Sequence, residues 1–514
     1  MAETVIAMVF SLRPMRRWGP VVSTLAAVVW LVLSVSPAQA YDVLLSADWT
    51  GQGYQLRDAQ GRIFNRRRLD TLFQLYVYDI LPEPKDPSKR RKPHPQMYFV
   101  AACRLDADMG DYSNVLGDST ALLRQEDPAG PSLQVLYAYL GVTGLARGWL
   151  ALSLGRRFFW DAMDAYQFDG VTLSVRSPWH VELDLFGGSR VSGVLPIDSP
   201  LLVLDGTDAR DEIPRWEPMV GVTLRSDWRY LSGRMTYRHT FSKLPEFAEQ
   251  QPGYLLPSGD IPTGLNRWGT AEELFSLWVS SNPLKGHIVP YAGMAYSILT
   301  DRVSRAALGV SFSWGRHGIT AEYARFEPTF DGDSIFNVFN VLPFRELRLW
   351  YRLWVTSRWS GYARASMRLF QGTAPQTQTS DDPTLERMSP GAGLGVRYLG
   401  RRLRARADWY YQDGYGGRTF GMDLWWRHWV LPGVLSWEGR TTVVHWADGL
   451  RENLRGVTAG VALGALWRVH PRFAIQTVLE DNFGEYYKAD IRFSVMLHMD
   501  WCRMGRCGME GSWL

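Results

Sequence analysis

Apolar residues fall at every second position through long runs of this sequence, and that spacing rules out most folds. In RELRLWYRLWVTSRW, residues 345–359, Leu347, Leu349, Tyr351, Leu353 and Val355 alternate with Glu346, Arg348, Trp350, Arg352, Trp354 and Thr356. A helix would need apolar residues three and four apart, whereas a period of two marks a strand with one wet and one greasy face. The pattern recurs. Ile491, Phe493, Val495, Leu497, Met499 and Trp501 oppose Asp490, Arg492, Ser494, Met496, His498 and Asp500. Val171, Leu173 and Val175 oppose Thr172, Ser174 and Arg176, and Leu403, Ala405, Ala407 and Trp409 oppose Arg404, Arg406 and Asp408. Many runs reach the ~9–11 residues that carry a tilted strand across a bilayer, against about 5–6 in soluble proteins.

The connections alternate too. Tight turns are expected at 176–179, 314–318, 356–360, 398–402, 430–433 and 469–472. Longer connections are expected near 190–216, 241–270, 328–343, 371–390, 412–417, 447–453 and 483–487. Tight periplasmic turns alternating with longer outer loops are the plan of a transmembrane β-barrel. The expected fold is all-β: a closed transmembrane antiparallel β-barrel of about 22 strands, within a range of 18–22, spanning 41–501. An even count leaves both termini in the periplasm. Trp149, Trp179, Trp228, Trp314, Trp359, Trp409, Trp467 and Trp501 cluster near strand ends, where a membrane interface favours indole rings.

The N-terminus carries an address. Arg13, Arg16 and Arg17 precede the apolar run VVSTLAAVVWLVLSV and the small-residue site SPAQA, which ends at Ala40. Residues 1–40 are read as a cleaved signal peptide, since the run is shorter than the ~20 residues of a spanning helix. Residues 502–514 are read as a periplasmic tail. The chain has three cysteines, and Cys502 and Cys507 are placed to close a small loop in an oxidising compartment. A net charge of +4 over 514 residues is too dilute for nucleic-acid binding.

The segment LSLGRRFFWDAMDAYQFDGVTLSVRSPWHVELDLFGG, residues 152–188, resembles the bacterial outer-membrane porin and alginate-export type of β-barrel. There a strand ends in Gly-Arg-Gln, and Phe-Asp-Gly opens the next. Gly155, Arg156, Phe168, Asp169 and Gly170 match, while Arg157 stands in the place of Gln. The resemblance implies a channel or exporter for small solutes or polysaccharide, located in the outer membrane.

If Leu347 to Val355 face lipid, then Arg348 and Arg352 face the lumen, because an arginine on the lipid side at midplane costs about 2–4 kcal/mol. The same parity places Arg364, Arg368, Arg397, Arg404 and Arg406 there. Between residues 345 and 406 there are 12 Arg, no Lys and four acids, a local charge of 12 − 4 = +8. Guanidinium forks suit carboxylate and phosphate, and charged rings set pore selectivity. Glu182, Asp184, Glu322, Asp408 and Asp490 are the expected counter-ions. A structural ion-pair lattice and an anion-attracting arc both remain open at this point.

The stretch LPEPKDPSKRRKPHP, residues 81–95, is long and basic although the parity makes it periplasmic. Lys89, Arg90, Arg91 and Lys92 make it a docking site for an acidic partner or a solvated loop. No Ser–His signature supports catalysis, and His428, His445 and His498 read as lumen filling. DGDS, residues 331–334, lacks the spacing of a calcium loop. Neither a metal nor a cofactor is implied. The expected partners are outer-membrane lipid, the barrel-assembly machinery and, since barrels this wide are often plugged, a periplasmic or lumen-filling protein. Two functions stand: a solute channel, or the sleeve or anchor of an envelope-spanning complex.

Overall fold

The computed structural model describes residues 42–58, 63–81, 94–108, 132–161, 165–191, 217–245, 265–327, 343–370, 387–414, 417–447, 455–485 and 487–503. Its strands are β1 (Asp42–Asp58), β2 (Ile63–Tyr78), β3 (Gln96–Asp108), β4 (Ser132–Gly144), β5 (Leu150–Trp160), β6 (Ala165–Ser177), β7 (Val181–Arg190) and β8 (Glu217–Asp227). There follow β9 (Leu231–Pro245), β10 (Leu265–Ser281), β11 (Ile288–Ser297), β12 (Arg302–Trp314), β13 (His317–Phe326), β14 (Phe344–Trp354) and β15 (Trp359–Phe370). The last are β16 (Arg387–Leu399), β17 (Leu403–Gln412), β18 (Arg418–Leu431), β19 (Leu435–Ala447), β20 (Arg455–His470), β21 (Phe473–Gly484) and β22 (Tyr487–Arg503). Each pairs antiparallel with its successor, and β22 returns to β1, with Leu45 opposite Trp501 and Trp49 opposite Leu497. The result is a closed 22-stranded barrel without a free edge. Strands run from 10 to 17 residues.

Closure gives every strand a concave and a convex side, and long-range contacts show which is which. Phe159 on β5 stacks on Phe186 of β7 at 5.9 Å, passing over β6. The Arg238 guanidinium of β9 lies 4.5 Å from the Tyr166 ring of β6, three strands away. Side chains of non-adjacent strands converge in this way only on a concave face. Following the strand register from these residues to β14 puts Glu346, Arg348 and Arg352 on the concave side and Leu347 and Leu349 on the convex side. The convex face is apolar and open: Leu308, Leu347, Leu394 and Leu463 are 63, 59, 60 and 54% exposed. A soluble protein would not leave such a continuous belt uncovered.

The two ends of the barrel differ. The β12–β13 connection is only Gly315 and Arg316, with Gly315 at φ 55, a value that favours glycine. Short turns also join β6 to β7, β8 to β9, β14 to β15, β16 to β17, β18 to β19 and β20 to β21. Trp179 and Trp314 stand 75% and 79% exposed at this end, and the Trp228 indole N–H donates to the Trp179 carbonyl at 2.6 Å. This is the aromatic girdle of a membrane interface. The strand ends flanking the longer connections, 191–216, 246–264, 327–343 and 371–386, are at the opposite end. The long 79–95 connection is flanked by strand ends, Tyr78 of β2 and Gln96 of β3, that are at the tight-turn end. Its residues Lys89, Arg90, Arg91 and Lys92 lie outside the described residues, as do 1–41 and DGDS. Strand β22 runs on to Arg503, two residues past the expected boundary, because Cys502 still pairs with Leu44 of β1. Cys502 is disulfide-bonded, with its partner outside the described residues, and Cys103 is free.

The segment that carries the family resemblance forms a clasp. Gly155 lies opposite Gly170, and Arg156 opposite Asp169. Arg156 donates from Nε and Nη2 to the two Asp169 oxygens, each at 2.7 Å, and from Nη1 to the Val135 carbonyl at 2.8 Å. The pair sits on the convex face near the long-loop end, and ties three strands together.

A lumenal arginine wall as the candidate functional site

Strands β14 to β17 present the expected arginines on one concave surface. Across the ladders, Arg348 faces Ser366, Arg352 faces Tyr362, Arg364 faces Gly393, Arg368 faces Ser389 and Arg397 faces Arg406. Arg404 and Asp408 flank Arg406 at two-residue spacing and share its side. The wall is legible in the local sequence of β16, where Gly391, Gly393 and Gly395 occupy successive inward positions. With no side chains there, the residues of β15 lie across β16: a Cβ on Gly393 would fall 2.5 Å from the Arg364 Nε. Sequence reading passed over these glycines, although their period of two was the available signal.

Charge pairing divides the seven arginines into two sets. Arg348 binds Glu346 at 2.5 Å and Glu322 at 3.1 Å, Arg368 binds Glu346 at 3.1 Å, and Arg406 pairs with Asp408. Glu346 is only 2% exposed and serves two cations at once. Asp408 also accepts from the Tyr362 hydroxyl. Arg352, Arg364, Arg397 and Arg404 have no acidic partner among the described residues. Of these, Arg352, Arg364 and Arg397 are exposed to the lumen. Arg352 lies 5.5 Å from the Trp354 ring.

The counter-ions differ from expectation in three cases. Glu182 and Asp184 are on the concave face, but they bind Arg176 at 3.4 Å and Arg225 at 2.9 Å, on strands next to their own. Short side chains reach only adjacent strands, so β7 cannot neutralise β14–β17. Asp490 likewise binds its neighbour Arg492 at 2.5 Å. Two pairs that sequence reading missed continue the wall. Arg427 binds Glu438 at 2.7 Å, and Arg440 binds Asp423 at 2.9 Å. Their signal is the directly opposite register of Arg427 and Glu438, which periodicity within one strand does not reveal.

Of the three histidines read as lumen filling, two are not in the lumen. His428 faces Leu403 and Trp437, and His445 faces Phe420 and Val457, all on the convex side. His498 is on the concave side, bridging Asp48 at 2.6 Å and Asp500 at 2.9 Å across the β1–β22 seam. Beyond the strands, Asp413 accepts from the Tyr411 hydroxyl, Arg418 and the Gly414 N–H, which holds its carboxyl below the usual range.

No family model matches the chain, and no curated protein matches it. Solved structures do. Pseudomonas aeruginosa OccK7 (OpdD) is 11% identical, with 90% of this chain and 100% of that one covered at a TM-score of 0.40. Acinetobacter baumannii OccAB2 is 8% identical, covering 90% and 98% at 0.42. The P pilus usher (PapC) translocation pore is 8% identical, covering 89% and 100% at 0.42. With so few identities and so loose a superposition, nothing about cargo or partners passes from them to this chain.

Proposed function

We propose that this protein is an outer-membrane channel that passes small solutes and favours anions. The observation that carries this reading is the set Arg352, Arg364, Arg397 and Arg404, spread over four adjacent strands on the concave face with no acidic partner among the described residues. An ion-pair lattice needs each cation matched, and Arg348, Arg368 and Arg406 are matched. The other four leave a net positive strip against a low-dielectric wall, where it attracts anions and repels cations. A 22-stranded barrel is too wide for side chains alone to fill.

Reversal potentials across a planar bilayer under a KCl gradient test this. The wild type should favour chloride. Changing Arg352, Arg364, Arg397 and Arg404 together to Gln should remove most of that preference, most visibly at low salt, where the Debye length is longest. Unchanged selectivity would reduce the arginines to wall architecture.

The same width supports a second reading, a sleeve or anchor for a multi-protein complex. In that case the purified barrel would not conduct alone and would copurify with a lumen-filling or periplasmic protein. Deleting 85–92, which contains Lys89, Arg90, Arg91 and Lys92, would then release the periplasmic partner.

A further inference from the structure

Roughly opposite the arginine wall, the lumen side of β3–β8 holds a cavity of about 140 Å³ near the tight-turn end. Tyr98 and Phe159 supply aromatic surface, Ser153, Thr172 and Ser174 supply hydroxyls, and Arg157, Arg176, Arg225, Glu182 and Asp184 supply charge. The charges are largely spent on one another. Asp184 takes Arg225 at 2.9 Å and the Ser174 hydroxyl at 2.5 Å, and Glu182 takes Arg176 at 3.4 Å. Arg157 donates to Ser153 at 2.5 Å, with its guanidinium 4.9 Å from the Tyr139 ring and 4.6 Å from the Phe159 ring. One net positive charge therefore remains here, on Arg157, whose guanidinium is held by the Ser153 hydroxyl and the two rings rather than by a carboxylate among the described residues.

Hydrogen-bonding capacity is nevertheless left over. Thr172 is 2% exposed and its Oγ1 has no partner, and the buried Arg225 Nε also lacks one. Unsatisfied buried polar groups are costly, and a ligand with matching hydroxyls would relieve that cost. Tyr98 continues the site into a row of rings. Tyr139 lies 6.1 Å away edge-on, Tyr78 is stacked at 6.5 Å, and Tyr76 lies 6.2 Å beyond Tyr78. Each tyrosine offers an apolar face with a hydroxyl at its rim.

We infer that this cavity binds one neutral pyranose unit of a sugar, with the tyrosine row as its approach. A sugar ring has an apolar face for Tyr98. Its vicinal hydroxyls fit paired carboxylate and guanidinium groups that keep spare acceptors and donors. The cavity has room for several waters, about what a pyranose displaces. The inference deepens the channel reading and rests on the lumen being a solute path.

Saturation-transfer NMR and isothermal titration on the detergent-solubilised barrel would test it, with glucose, galactose and mannose as probes and sodium sulfate as the anion control. At least one sugar should bind in the millimolar range and sulfate should not. Thr172→Val and Asp184→Asn should each weaken the sugar by about fivefold or more, one hydrogen bond's worth. Heat-modifiable gel migration confirms that each variant is folded. No sugar binding, equal binding of sulfate, or unchanged affinity in a folded Thr172→Val protein would overturn the inference. Conductance of the same preparation separates the two claims: a barrel that conducts but binds no sugar loses only this site, and one that binds sugar without conducting loses only the channel.

Discussion

Arg156 shows what a single residue does on the membrane-facing side of this wall. Its fork grips both oxygens of Asp169 on β6 and a carbonyl of β4, so one side chain fixes three strands. Lysine keeps the charge but has no planar fork to make those three bonds together. Arg156→Lys should therefore destabilise the barrel by on the order of 1 kcal/mol, the pair being partly exposed. Urea unfolding from lipid vesicles would measure it, and a Lys variant as stable as wild type would mean the clasp is only charge pairing. The lumen arginines act differently. Arg348 is anchored by two carboxylates, whereas Arg364 lies over a glycine with no acid to hold it among the described residues. Residue type alone did not separate these cases, because the difference lies in what the neighbouring strand presents.

At the scale of strands, a repeated device joins glycine to an aromatic ring across the ladder. Tyr98 lies opposite Gly141, Phe186 opposite Gly221, Tyr291 opposite Gly309, Tyr362 opposite Gly395 and Tyr410 opposite Gly421. In each case the ring occupies the space a Cβ would need. The ring covers the bare backbone and pins the register. Gly395→Val would drive its side chain into Tyr362 and Asp408, and should cost about 1–3 kcal/mol of stability. Gly53→Ala, where nothing lies within 4 Å, should stay within about 0.5 kcal/mol in the same urea assay. Equal effects at both positions would show that the cross-strand rings are not packed as described. Strand existence, turn placement and the facing of strongly alternating segments such as Leu347 to Leu353 were legible in the sequence, because each depends on the two-residue period of one segment; the facing of His428 and His445 was not. The ion pairs were not. Glu182 finds Arg176, and Glu346 finds both Arg348 and Arg368, only once neighbouring strands are set in register. The glycines of β16 show their period of two in the sequence, but the β15 side chains that lie across them appear only once the two strands are in register.

For the whole molecule, closure turns these local choices into a membrane wall with two lumen surfaces, one rich in arginine and one in tyrosine and hydroxyl groups. Both functional readings stand on the arginines facing water while the intervening leucines and valines face lipid. A one-residue slip of register would exchange every face. Single cysteines at 347, 349, 394 and 396 on one side and at 348, 352, 397 and 404 on the other, in a Cys103→Ser background and reconstituted in liposomes, test this directly. Labelling with a membrane-impermeant maleimide is the measurement. Cysteines replacing Arg348, Arg352, Arg397 and Arg404 should react rapidly, and those replacing Leu347, Leu349, Leu394 and Val396 should stay unlabelled until a lipid-soluble maleimide is used. The reverse pattern, or uniform labelling of both sets, would contradict the account.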